Sequence, residues 1–475
     1  MFHFRFCLTD RKKILPAIFA GTVFFGGTAN AAASAESFAI PLRGIVEGFY
    51  GTPWQQADRL DMLNFCGVHG FNAYIYAPKD DPYHRAKWRE PYPPDKTREI
   101  AELIQFSKER QIRFIFAISP GLDIHFEGEQ GLQDRLAMKK KLQAMYDLGV
   151  RDFAVFFDDI QDKNGKGQSD FLNWIDEQFI AAHKDIASLI TVPTEYFYED
   201  MQQAGSIKPY SKAFSQNLNP DILVLYTGNR VVPDGISDQQ LLQANTLYNR
   251  PLGIWWNYPV TDYMENKLAL GPVEKLPRQT NIPAIFFNPM KYEQLSKIAL
   301  ATGADYAKNP KNYEEQKSWE AAIADQYGPL AEDMLRIAEQ SQHLENSWAK
   351  IGRADGAELR KKMDNYWQLN CQLTAGEEFI HELLILRQSA VSLQNNLPPR
   401  LLAECAPQLA QMIRIADADV TGIQIIRTPD DAAGKKKFCQ QLAEVTAHDK
   451  EALIAESSAR AFLTELAQKI NYNAQ

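Results

Sequence analysis

Phe153-Ala154-Val155-Phe156-Phe157-Asp158-Asp159 sets a run of β-forming apolar residues directly against two carboxyl groups. A continuous apolar run of this length suits a strand buried on both faces, as in a parallel sheet. In an α/β barrel, chemistry gathers where such strands end. Neighbouring strand residues face opposite ways, so Asp158 and Asp159 reach one cleft only if the chain is already leaving the strand there. Two carboxyl groups so close do not ionise together without penalty, which suits one charged and one protonated role.

The dipeptide alone does not settle this. Asp80-Asp81 follows another apolar stretch, and Asp430-Asp431 lies among loop-forming residues. For any one of them, a helix N-cap with a solvated neighbour is the simpler account. The surrounding pattern decides. From Pro41 to about Pro289, short β-rich runs alternate with helix-like stretches. Strands are expected at Gly44–Phe49, Phe71–Ala77, Arg113–Ile118, Asp152–Phe157, Leu189–Pro193, Ile222–Tyr226, Gly253–Trp256 and Ala284–Phe287. Eight strands alternating with helices predict an α/β fold, a (β/α)8 TIM barrel over residues 40–310. The competing arrangement, an open doubly wound sheet, calls for a glycine-rich dinucleotide turn after the first strand, which Gly48-Phe49-Tyr50-Gly51 does not match.

Past Tyr313 the strand-like runs vanish and apolar residues recur at helical spacing, at Met334, Ile337, Ser341, Leu344 and Trp348, then at Leu359, Met363, Tyr366, Leu369 and Leu373. This predicts an all-α bundle over residues 311–475. Pro398-Pro399, Pro407 and the Thr428–Gly434 stretch act as helix breakers, and Lys435–Lys437 as a solvated face.

At the other end, Arg11, Lys12 and Lys13 precede an apolar run from Ile14 to Phe25 and small residues ending in Ala29-Asn30-Ala31. That is the layout of a cleaved secretory signal over residues 1–31, so an exported, periplasmic or secreted protein is expected. The run is interrupted by Pro16 and Gly21 and too short for a good membrane span. Its loss removes Arg5, Arg11, Lys12, Lys13 and Asp10, a net charge of +3, and takes the chain from -9 to -12. So acidic a chain is not built for nucleic acid. Of five cysteines, Cys66, Cys371, Cys405 and Cys439 remain after residue 31, without C-x-x-C or zinc spacing. Export would allow some to pair. His69, His84, His125 and His183 are scattered, and no His-Glu-x-x-His occurs, so no metal or other cofactor is expected.

The expected strand ends carry polar and aromatic clusters: Glu47-Gly-Phe-Tyr-Gly-Thr-Pro-Trp54, Tyr76-Ala-Pro-Lys-Asp-Asp-Pro-Tyr-His84, Pro193-Thr-Glu-Tyr196, Trp255-Trp-Asn-Tyr-Pro-Val-Thr-Asp262 and Phe287-Asn288-Pro289. Aromatic walls with a few fixed amides, carboxylates and phenols suit a sugar, whose C–H faces stack on rings while its hydroxyls need donors and acceptors. Bland alternatives accompany each cluster. Lys79 could simply pair with Asp80, Asp81 or Glu47, and one of Trp255 and Trp256 should be barrel core.

Phe157-Asp-Asp159 and the first four of these motifs, in chain order, resemble glycoside hydrolase family 84, the retaining exo-β-N-acetylglucosaminidases, over residues 41 to 310. The resemblance implies removal of terminal β-linked N-acetylglucosamine from a glycan or glycoprotein partner by substrate-assisted catalysis, an exception to the usual two-carboxylate scheme. By resemblance, Asp158 would orient the substrate's 2-acetamido group to form an oxazoline, and Asp159 would be general acid and then base. Tyr196 would bond the acetamido group, Trp255 would wall its methyl, and Asn257 would lie beside Asp158. Asp262 would accept from the 4- and 6-hydroxyls, Gly48, Lys79 and Asn288 would hold the 3-hydroxyl, and Tyr50 would complete the floor. With only a few residues between the signal and Arg43, the small domain that bacterial members often carry before the barrel is not expected, and no family motif is recognisable in the helical region. The chitinase-type Asp-x-x-Asp-x-Asp-x-Glu strand and the strand-ending Asp-Glu pair of hexosaminidases are absent. A non-catalytic N-acetylglucosamine-binding protein is the rival from another class.

Overall fold

A computed structural model describes residues 39–369 and 371–472. The expected signal, residues 1–31, falls outside the described residues. Eight parallel strands close into a barrel: β1 (Leu42–Glu47), β2 (Ala73–Tyr76), β3 (Arg113–Ile118), β4 (Asp152–Phe156), β5 (Ile190–Val192), β6 (Leu223–Tyr226), β7 (Gly253–Trp256) and β8 (Ala284–Phe287). Each pairs with its neighbours in sequence, and β8 closes on β1 through Leu42↔Ala284 and Ile45↔Phe287. Strands β3, β7 and β8 have the ends expected from sequence; β1 starts earlier, at Leu42, and β4 ends at Phe156.

Alternation along each strand explains the apolar runs. Val46, Ile75, Ala154, Phe156, Leu225, Trp255 and Phe286 fill the barrel interior. Ile45, Tyr74, Phe153, Val155, Phe157, Trp256 and Phe287 face the surrounding helices and join Met62, Leu142, Phe171 and Leu295 in the outer core. Both faces are dry, and each large side chain so buried contributes about 1.5–3 kcal/mol. Trp256 is the core tryptophan of its pair, 1% exposed.

Helices Gln56–His69, Pro94–Glu109, Gly128–Leu148, Gly165–Ile175, Pro209–Asn217, Asp238–Tyr248 and Glu293–Lys308 wrap the barrel. The connection after β7 departs from the pattern, because residues 257–283 contain no helix. Its backbone groups find partners elsewhere. Trp319 Nε1 donates to Leu270 O at 2.7 Å, Leu270 N to Ser341 O at 2.8 Å, and the Tyr313 hydroxyl to Val273 O at 2.6 Å. All three partners lie beyond the last barrel strand, so the helical region covers this connection.

That region runs through helices Glu315–Tyr327, Ala331–Glu339, Ala357–Gln368, Leu373–Asn396, Pro399–Arg427, Ala432–His448 and Ala459–Tyr472. Three expectations about it need correction. The helical spacing up to Trp348 outruns its helix, which ends at Glu339, and Leu344–Glu345 pairs antiparallel with Lys350–Ile351 instead. Asn346 makes the turn, its Oδ1 accepting from Trp348 N at 2.9 Å and Ala349 N at 2.8 Å. Likewise Leu359, Met363 and Tyr366 are buried, but Leu369 and Leu373 lie at a helix break and are exposed. Pro399 begins a helix at N1, where its missing N–H is harmless, whereas Pro407 lies inside that helix without ending it. Burial of Cys405, Leu409, Met412 and Ile415 against neighbouring helices outweighs the one lost hydrogen bond. The Thr428 break stands, and all four described cysteines are free thiols.

Candidate active site

All ten candidate residues line one cavity of about 490 Å³ at the carboxyl ends of the strands: Gly48, Tyr50, Lys79, Asp158, Asp159, Tyr196, Trp255, Asn257, Asp262 and Asn288. The two aspartates arrive there by different means. Phe156 points into the barrel and Phe157 out, so alternation turns Asp158 inward. The same alternation would send Asp159 outward, but its φ of 56° is left-handed, and the chain doubles back to the same cavity. A non-glycine residue held there stores strain, a feature that clusters at functional sites.

Their partners differ. Asp158 is 7% exposed; its Oδ2 pairs with Lys79 Nζ, and its Oδ1 is buried with no partner. Lys79 thus ignores the nearer carboxylates that a bland pairing would have used. Asp159 Oδ1 accepts from the Tyr196 hydroxyl and its Oδ2 from the Tyr50 hydroxyl, both at 2.8 Å. Burial, then the nearby aspartates, pushes both phenols far above their ordinary pKa, so both stay protonated donors.

The other Asp-Asp pairs have structural duties. Asp80 Oδ2 accepts from Gly51 N at 2.8 Å, Asp81 holds Tyr83 N and the Tyr76 hydroxyl, and Asp431 caps the Ala432–His448 helix through Gly434 N.

Trp255 forms a wall whose position depends on Gly48, since a Cβ there would lie 2.4 Å from Trp255 Cζ2. Trp255 Nε1 donates to Asn257 Oδ1 at 2.8 Å, and Asn288 Nδ2 donates to the same oxygen at 3.0 Å. Asn257 Nδ2 donates to Val231 O at 2.9 Å. Asn257 is therefore bonded to Trp255, Asn288 and Val231 rather than to Asp158, while Asn288 Oδ1 is left buried without a partner. Asp262 Oδ2 accepts from Tyr50 N at 2.8 Å, and burial pushes its carboxyl pKa upward.

Behind the wall, hydrogen bonds lock the loops together. Thr194 Oγ1 donates to Phe157 O at 3.0 Å and accepts from Gln168 Nε2 at 2.9 Å, holding the residue before Asp158. Lys163 Nζ reaches Glu195 Oε1 at 3.0 Å, tying the loop after β4 to the residue before Tyr196.

Sequence reasoning missed several lining residues. Thr227, Val231 and Val232 follow β6, where no charged or aromatic cluster drew notice, and Val192 and Val260 look like ordinary core. Tyr263 lies beside Asp262 at the end of the aromatic cluster after β7, where the sequence assigns it no role. Trp348 comes from the hairpin at 344–351, its ring 5.0 Å from that of Tyr263 and 45% exposed. Arg85 also escaped attention: its Nη1 donates to the Tyr50 hydroxyl and its Nη2 to Asp159 O, each at 3.3 Å. Among the described residues, no three His, Cys, Asp or Glu side chains converge as metal ligands, and no helix is long and apolar enough to cross a membrane.

A parallel barrel with paired carboxylates and aromatic walls at its carboxyl end is the architecture of a glycoside hydrolase type of site. The chain belongs to the beta-N-acetylglucosaminidase family, glycoside hydrolase family 84, whose model matches residues 43–339. A second model, hyaluronidase post-catalytic domain-like, matches residues 358–463. The chain is 32% identical over 283 residues to Protein O-GlcNAcase of Rattus norvegicus and 31% identical to that of Mus musculus. These matches cover 57% of this chain and 30% of each relative, so the chain spans less than a third of their length. The solved structure of CpGH84B is 37% identical with a TM-score of 0.85, over 90% of this chain and 77% of that one. An O-GlcNAc hydrolase mutant from Thermobaculum terrenum is 26% identical with a TM-score of 0.81, over 92% of this chain and 96% of that one.

Proposed function

We propose that this chain is a retaining exo-β-N-acetylglucosaminidase that removes terminal β-linked N-acetylglucosamine from a glycan or glycoprotein, using the substrate's own acetamido group as nucleophile. The observation that carries this reading is the unequal treatment of two adjacent carboxylates in one cavity. Asp158 offers a buried, unpartnered oxygen, while Asp159 is served by two exchangeable phenol donors.

In the first step Asp158 Oδ1 accepts from the acetamido N–H, with Lys79 offsetting its charge from the other oxygen. The acetamido oxygen bonds to the anomeric carbon as the glycosidic C–O bond breaks, and protonated Asp159 gives its proton to the leaving oxygen. In the second step Asp159, now a carboxylate, takes a proton from water as that water attacks the anomeric carbon and reopens the oxazoline. Two inversions retain configuration. The nucleophile is tethered to the reacting ring, so no enzyme nucleophile is required. Tyr196 turns from Asp159 toward the acetamido group, Trp255 walls its methyl, and Asp262, Lys79, Asn288 and the Gly48 carbonyl hold the ring hydroxyls.

The apolar lining of Val192, Val231 and Val260 suits the acetamido methyl, and exposed Trp348 with half-buried Tyr263 offers aromatic faces to an aglycone. The leader-like composition of residues 1–31 supports export, to be checked by N-terminal sequencing of the protein from the extracytoplasmic fraction. The activity is tested with a chromogenic N-acetyl-β-glucosaminide. Turnover that is lost in Asp159→Asn supports the hydrolase, whereas N-acetylglucosamine binding without turnover by the wild type identifies a glycan-binding protein instead. A thiazoline mimic of the oxazoline should inhibit competitively and bind more tightly than free N-acetylglucosamine; equal affinity would contradict the oxazoline route.

A further inference from the structure

The connection after β7 carries Asp262 and Tyr263 into the site, yet it has no helix to stiffen it. Two successive turns, Met264 N to Thr261 O and Lys267 N to Met264 O, each 2.9 Å, lead from Asp262 to Lys267. The Lys267 side chain is wholly buried, an arrangement that an ammonium tolerates only with close acceptors. Its Nζ meets Asp355 Oδ2 at 3.3 Å and Glu456 Oε2 at 2.7 Å.

Asp355 is equally buried and has a second duty. Its Oδ1 accepts from Gln342 N at 2.7 Å and His343 N at 2.9 Å, the two residues that lead into the hairpin bearing Trp348. The contacts close a ring: Lys267 to Asp355, Asp355 to the hairpin base, Trp348 at the hairpin tip to Tyr263, and Tyr263 beside Asp262 and back to Lys267. Next to it, Leu453 N donates to Asn266 O at 2.8 Å and Asn266 Nδ2 to Asp449 O at 2.9 Å, so the segment after the Ala432–His448 helix grips the same connection.

We propose that Lys267 and Asp355 are positioning residues that fix Asp262 and Trp348 in the cavity, and that the helical region thereby sets substrate affinity without touching the reacting atoms. The helical region is on this account part of the binding site, not an appended module. The inference rests on the assignment of Asp262 to the sugar's 4- and 6-hydroxyls.

The test is steady-state kinetics of Lys267→Met and Glu456→Gln on gluco- and galacto-configured aryl N-acetyl-β-hexosaminides, with the melting temperature recorded for each. Loss of a well-aligned contact in the relay predicts a KM about five- to tenfold higher for Lys267→Met, with kcat within about twofold of wild type. The preference for the gluco over the galacto epimer should narrow with it, because Asp262 is the group that meets the 4-hydroxyl. Glu456→Gln removes only the charge of the half-exposed acceptor and leaves Lys267 paired with Asp355, so it folds without an uncompensated buried charge and should raise KM in the same direction by a smaller factor. If Lys267→Met does not fold, Glu456→Gln decides. Lower melting temperature or lower kcat with unchanged KM and epimer preference would overturn the proposal, leaving the pair merely structural. A wild type without turnover would defeat the hydrolase assignment instead, and is told apart by that control.

Discussion

Gly48→Ala puts one methyl group against the wall of the cavity, and its consequences can be worked from distances. The new Cβ would lie 2.4 Å from Trp255 Cζ2 and 2.7 Å from Cη2. Carbon atoms rest at about 3.5–4.0 Å, so the indole must retreat by roughly 1 Å or more. It is poorly placed to do so: its Nε1 is bound to Asn257 at 2.8 Å, and its ring sits edge-on to Phe156 at 5.5 Å. Overpacking of this kind costs about 1–3 kcal/mol, and a 1 Å displacement at a reacting centre lowers the rate by about 100-fold. The φ of Gly48 is not left-handed, so the effect is steric and not a matter of backbone strain. Gly67→Ala is the control, since its Cβ would meet Arg110 at an ordinary 3.4 Å within a helix that alanine favours. The assay is kcat/KM on 4-nitrophenyl N-acetyl-β-glucosaminide, with melting temperatures for both variants. A fall of about 100-fold in Gly48→Ala, with Gly67→Ala unchanged, is expected from these clashes. A Gly48→Ala enzyme within about threefold of wild type would refute the claim that the Trp255 wall must stand where it does.

Three further outcomes follow from the same geometry. Tyr196→Phe removes a donor to a carboxylate and, once substrate is bound, to the acetamido group; at about 1.5–3 kcal/mol the loss in kcat/KM should be roughly 10- to 150-fold without a comparable loss of stability. Trp348→Ala should raise KM for aryl and peptide aglycones by a larger factor than it weakens free N-acetylglucosamine in a calorimetric titration. In the helical region Asp419 is fully buried with both oxygens unpartnered, and burial pushes its carboxyl well above the ordinary range. Its folded pKa exceeds the unfolded value near 3.9, so the contribution of this group to stability is fullest below that pH and is lost as pH rises toward the folded pKa. Calorimetry of Asp419→Asn, which cannot ionise, should show melting closest to wild type near pH 4 and a growing advantage toward pH 8; a constant difference would contradict it.

The barrel was legible because its strands are dry on both faces, so runs such as Phe153–Phe157 stand out against the helices between them. The site was legible for a related reason: polar and aromatic clusters interrupt apolar runs only where strands end. Asp159 shows what such patterns can carry, since the demand that the chain leave the strand there is met by a left-handed residue. The hairpin bearing Trp348 was not legible, because two-residue strands have no period and their apolar residues continue a helical spacing by coincidence. Pro407 misled for the opposite reason: a local breaker was overruled by burial on a helix packed among others. Val231 and Val232 were invisible as site residues, since a valine lining a sugar pocket and a valine in a core look alike in sequence.

The division of labour between the two aspartates is the central claim, and leaving-group dependence tests it most directly. Rates of Asp158→Ala and Asp159→Ala are to be compared on a series of aryl N-acetyl-β-glucosaminides running from poor to highly activated leaving groups. General-acid assistance is worth about 100- to 10,000-fold and is dispensable when the leaving group needs no proton. Asp159→Ala should therefore recover toward wild-type rates along the series, and Asp158→Ala should stay slow throughout because the acetamido nucleophile is no longer steered. Parallel losses across the series, or recovery by Asp158→Ala alone, would contradict the assignment.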